Sequence, residues 1–186
     1  SDLVIKAEAR LQAAGEITPS RRAGVIYRND DEIAFLRDIK NELNPVLYSG
    51  AGATKTAFDI VDDDHGMRWV VLEDGNFEDL VSSVYTVGNA IGANDGADNL
   101  LAAVFELYFT GTVEDNTYRS GLRTYWIYRY DRKSFYPFVP TGDEEGERDR
   151  PTEAQLGHDL RKHGLLVERS LTEWMGLWGK IGRAHV

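Results

Sequence analysis

No cysteine occurs among the 186 residues. That excludes disulfides, thiolate nucleophiles, Cys-ligated zinc and iron–sulfur clusters. No apolar run approaches the roughly 20 residues of a membrane-spanning helix. Positive charge is in deficit: 21 Lys and Arg stand against 31 Asp and Glu, a net charge of −10. Nucleic acid is a poor partner for such a chain, because binding it needs clustered cations that displace counterions. The same deficit argues against docking on an anionic bilayer through a polybasic patch. No internal repeat is present, and no Gly-x-Ser-x-Gly nucleophile elbow. What is present is a globular composition, 42% hydrophobic and 28% charged. The length suits one domain with a core that needs no staples.

Both ends of the chain attract notice. It starts at Ser1 rather than Met, and residues 181–186 read Ile-Gly-Arg-Ala-His-Val. That hexapeptide is similar to one reading frame of a common sequencing adapter. We therefore expect a natural domain within residues 1–180, its N-terminus truncated, followed by read-through in residues 181–186.

Periodicity orders the rest. Leu3, Ala7, Leu11 and Ala14 share a helical face that Gly15 would stop. Residues 23–28 read as a strand. Asn29 or Asp30 would cap a helix with Ile33, Leu36, Ile39 and Leu43 inward, ended by Asn44-Pro45. Residues 56–61 and 67–72 flank an acidic turn and read as a hairpin. Asn76, with Asp79 three residues on, caps a helix striped by Phe77, Leu80, Val81, Val84, Tyr85, Gly88 and Ile91. Residues 92–98 break it. Residues 100–109 are apolar enough for helix or strand, and the two strands that follow favour strand. Those are residues 122–130, a turn at 131–134, and 135–139, where Pro137 demands an edge or a bend. After a charged loop at 142–150, Thr152 would cap a helix through His163. Ser170 and Glu173 form a capping-box pattern for a last helix carrying Trp174, Met175 and Trp178. The order predicts an α+β fold: an antiparallel sheet of five to six strands with helices packed on it.

Catalytic signals are weak. Residues 49–56 resemble a phosphate loop, but Thr54 replaces the Gly that must precede Lys55, so a surface loop explains them better. Asp62, Asp63, Asp64 and His65 could attract a hard cation. Counting back from Gly66 puts Val61 at the first ligand position of an EF-hand loop, so a solvated turn is the better account. A metal-dependent hydrolase built on Asp62, Asp64 and His65 is the enzymatic alternative. His158 and His163 are five apart, not the four that would share a helical face. We expect no enzyme, no cofactor and no metal. Tyr125, Trp126, Tyr128, Phe135, Tyr136, Trp174 and Trp178 remain as candidate protein-interaction residues. The bland reading of those aromatics is core, because strands favour aromatics and bury them.

A family resemblance rests on three stretches. Tyr125-Trp126-Ile127-Tyr128-Arg129-Tyr130, the turn, and Phe135-Tyr136-Pro137-Phe138-Val139-Pro140 resemble a hairpin of the PspA-associated protein PspAB family. Gly66-Met67-Arg68-Trp69-Val70-Val71 with Glu78-Asp79-Leu80-Val81, and the ending with Trp174 and Trp178-Gly179, resemble the same family. The resemblance covers about residues 23–180. It implies a small cytoplasmic prokaryotic protein of the PspA-type envelope-stress setting, with a PspA-like protein or an HtpX-type membrane protease system as partner. It supplies no catalytic residues. The element order also resembles type III secretion chaperone and YbjN-like folds. By that analogy the alternative is a chaperone-like homodimer binding a client protein.

Overall fold

A computed structural model describes residues 2–50, 53–63, 66–110, 122–142 and 144–177. Residues 181–186, Trp178, Asp64 and His65 therefore lie outside the described residues. Six strands form one open antiparallel sheet in the order β2-β3-β1-β4-β5-β6. They are β1 (Ile17–Arg28), β2 (Ala57–Asp62), β3 (Met67–Glu73), β4 (Leu100–Phe109), β5 (Arg123–Arg129) and β6 (Ser134–Phe138). The helices are α1 (Asp2–Ala13), α2 (Ala34–Arg37), α3 (Ile39–Tyr48), α4 (Phe77–Ile91) and α5 (Arg150–Lys162). The chain divides into two compact units, Arg21–Val104, and Asp2–Ser20 together with Phe105–Val186.

In the first unit, β2 and β3 pair as the expected hairpin, with Asp59 opposite Val71. Beside β3, Gly24 of β1 makes room for Trp69: a Cβ there would meet the indole at 3.0 Å. Asn76 caps α4, its Oδ1 accepting the Asp79 N–H at 3.0 Å. The stripe on α4 differs from the periodic reading at one place. Val87 is buried and Tyr85 is exposed, since helix α4 packs on both α3 and β3 and turns its inward face accordingly. The helix expected over residues 31–43 is broken into α2 and α3 at Asp38, whose ψ of 36° leaves the helical range. Pro45 does not end it. The helix runs through to Tyr48, because losing one N–H costs less than exposing Leu47, which is buried.

In the second unit, α1 buries Val4, Ala7 and Leu11 and leaves Leu3 and Ala14 outside. Ala7 and Leu11 keep their expected inward places, and Val4 takes the place of Leu3, a spacing that serves equally well as a stripe. Strand β4 forms as favoured. β5 and β6 pair with Trp126 opposite Pro137, and β6 is the sheet's edge strand, where proline is tolerated. The cap of α5 is Asp149, not Thr152: its carboxylate accepts the Thr152 N–H at 3.1 Å and the Thr152 hydroxyl at 2.7 Å. The last helix expected after Ser170 is only a single 3₁₀ turn, Leu171–Glu173. The Ser170 hydroxyl meets Thr172 instead of the Glu173 N–H, so the capping box does not form.

Candidate protein-interaction surface

Four of the seven aromatic residues proposed from sequence lie in the core. Trp126, Tyr125, Tyr136 and Trp174 are all buried, Trp126 fully. Strand alternation alone would have put one face of β5 outside, but both faces of Tyr125-Trp126-Ile127 are covered. These side chains are core. Tyr125 stacks on Phe138 across the hairpin, with ring centroids 6.1 Å apart. Burial pushes its phenol up to about 12. Tyr128 and Phe135 are half-buried partners at 5.0 Å. Trp178 lies outside the described residues.

A strap of irregular chain, residues 164–177, lies along β6. The Phe135 N–H donates to the Leu166 carbonyl at 2.8 Å, and the Glu168 N–H donates to the Phe135 carbonyl at 2.8 Å. This short parallel bridge blunts an edge that would otherwise invite pairing. Trp174 anchors the middle of the strap. Its ring stacks on Tyr136 at 6.2 Å and 16°, and its Nε1–H donates to the Glu168 carbonyl at 2.8 Å. It lies over Gly157 of α5, where an added Cβ would sit 2.9 Å from the indole. Tyr136 keeps its proton, because burial raises its phenol strongly, and donates it to the Met175 carbonyl at 2.9 Å.

Three arginines hold the strap from below. Arg129 donates to Glu173 at 2.7 Å and also grips Asp131 at 2.6 Å. Arg132 donates to Glu168 at 2.6 and 3.1 Å. Arg148 reaches the Trp174 carbonyl at 2.9 Å while pairing with the buried Glu153, with contacts between 2.8 and 3.1 Å. Its guanidinium also lies 4.9 Å from the centre of the Phe138 ring. The anchor of the charged loop before α5 is thus Arg148.

The Arg132 guanidinium, followed by the Ser170 N–H, pulls the Glu168 carboxyl down from 4.5 to about 2. The unfolded chain therefore binds the proton first as pH falls. This contact stabilises the strap fully above about pH 4.5 and is lost on descent through pH 2. We expect carbon-detected NMR to place the Glu168 titration near 2, and Arg132→Ala to return it towards the ordinary glutamate range. A midpoint that stays put in the variant would assign the shift to another cause.

The other sequence candidates are placed as follows. Asp62 accepts from Arg68 Nε at 2.6 Å, and Asp63 accepts the Met67 N–H at 3.0 Å, so both serve the hairpin turn. Among the described residues no group of three acidic or histidine side chains is placed to hold a metal. The phosphate-loop look-alike is preceded by α3 rather than by a strand. It does contain something the sequence concealed. Thr54, Thr56 and Ser83 gather their hydroxyls within 2.6–2.9 Å, and Thr56 donates to Asp74 at 2.8 Å. Short polar residues from three separate segments carry no periodic signal, so only the fold brings them together. The cluster fastens the loop to α4 and β3. His158 is exposed and His163 is half-buried on α5 and its cap.

The model of one family, PspA associated protein B, matches residues 3–182, nearly the whole chain. The chain belongs to the PspAB family. No curated protein and no solved structure is significantly similar to it. The PspAB assignment agrees with the three stretches that carried the resemblance, and it extends to the N-terminal helix that they did not cover. Among the described residues, no helix of this PspAB chain is long and apolar enough to cross a membrane.

Proposed function

We propose that this protein is a non-enzymatic accessory of a PspA-type envelope-stress response, acting in the cytoplasm through protein–protein contact. The observation that carries the reading is the family match over nearly the whole chain. The strap adds to it. Its two carboxylates are held by the protein's own arginines, whereas Leu166, Leu171 and Met175 are exposed, together with Arg169 and Thr172. Chemistry by contact rather than by catalysis suits that arrangement.

The test is affinity purification of the tagged chain from its native host under envelope stress. The reading expects a PspA-like protein among the retained proteins, absent from a tag-only control. Recovery of neither a PspA-like protein nor an HtpX-type protease contradicts it.

A further inference from the structure

The strap is two-faced. Its inner face is held largely through backbone carbonyls, those of Leu166, Glu168, Trp174 and Met175. Anchoring of that kind makes little demand on the exposed side chains. Yet Leu166, Leu171 and Met175 are 67%, 54% and 58% exposed. They account for half of the large hydrophobic residues exposed among the described residues. Folding does not explain three such side chains within ten residues of a hydrophilic, acidic protein, and exposed apolar groups that cluster mark recognition sites.

The same stretch of sequence, the end of α5 and the strap, also carries three cations. Arg161, Lys162 and Arg169 are exposed and have no ionic partner among the described residues. Arg161 and Lys162 complement the C-terminal end of α5, but Arg169 has no helix to serve. The neighbouring carboxylates Asp131, Glu168 and Glu173 are already held by Arg129 and Arg132. An incoming carboxylate would therefore meet free cations. Strand addition is closed, because residues 166–168 already bridge to β6. A net charge of −10 opposes an anionic bilayer.

We propose that the outer face of the strap is a docking surface for an acidic amphipathic helix of a partner protein. The apolar stripe of that helix would cover Leu166, Leu171 and Met175, and its flanking carboxylates would meet Arg161, Lys162 and Arg169. The partner helix would supply its apolar anchors at helical spacing. The inference deepens the accessory reading and rests on it for the partner being a protein.

The test needs no stress-response protein, so the two readings fail separately. The full chain is titrated with two designed helical peptides of about 20 residues that share a leucine stripe. One is flanked by Glu and the other by Lys. The Glu peptide should bind at least about tenfold tighter than the Lys peptide, and salt should weaken it. The variant L166S/L171S/M175S should lose about tenfold or more, and so should R161E/K162E, which keeps the test alive if the first variant misfolds. No binding of the Glu peptide at about 1 mM, or equal binding of both peptides, overturns the proposal. So does binding of the chain to phosphatidylglycerol vesicles that L166S/L171S/M175S abolishes. A sedimentation mass of two chains, reduced to one by L166S/L171S/M175S, would assign the face to self-association instead.

Discussion

Glu153→Ala will cost about 3–5 kcal/mol of folding stability, the usual consequence of removing one partner from a buried ion pair. The Glu153 side chain is fully buried and that of Arg148 is 7% exposed, so the guanidinium would lose its bidentate carboxylate with little water to replace it. The damage extends beyond the pair. The Val139 N–H donates to Glu153 at 3.0 Å and would lose its acceptor, and Arg150 would lose a contact at 3.3 Å. An orphaned buried donor costs about 1–3 kcal/mol on its own. Urea denaturation of the variant beside the parent measures the loss. The pair need not be worth that much in net terms, since desolvating both charges offsets most of their attraction. Replacing both partners with Met and Leu should therefore recover the cost of the stranded charge, but not that of the orphaned Val139 N–H. If Glu153→Ala loses less than about 1 kcal/mol, the carboxylate is not buried as described.

Trp174→Ala should cost about 3 kcal/mol or more, the range for truncating a large buried aromatic. The indole fills the space above Gly157, stacks on Tyr136 and donates to the Glu168 carbonyl. Without it the strap keeps its arginine contacts but loses its only buried aromatic. A local reading separates this from general destabilisation. The Phe135 N–H, held by Leu166, should exchange with solvent much faster in the variant, while the Val25 amide on β1 should change less. Gly157→Leu should act in the same direction, because a side chain there must displace the indole. Uniform acceleration at both amides would show that the strap does not open by itself.

Most of the fold was legible because strands and capped helices carry local signals. The β2–β3 and β5–β6 hairpins, the Asn76 cap and the edge position of β6 follow from alternation, turn residues and Pro137. The C-terminal segment was not legible. Ser170 and Glu173 have the spacing of a capping box, and Trp174 and Trp178 have the spacing of a helical stripe, yet Arg129 takes Glu173 and Tyr136 takes the Met175 carbonyl. Tertiary partners overruled a local pattern there. The aromatic strands misled in a related way. Aromatics at an edge hairpin suggest a surface, but α5 packs against β6 and the strap adds a second cover. The exposed apolar residues that matter, Leu166 and Leu171, have no periodic neighbours in sequence. Only the backbone anchoring of the strap shows that they face outward.

The most direct test is calorimetric titration of the purified chain with a purified PspA-like protein. The account predicts saturable binding that weakens with salt and falls by about tenfold or more in L166S/L171S/M175S. Heats indistinguishable from dilution, with both proteins shown to be folded, would contradict it.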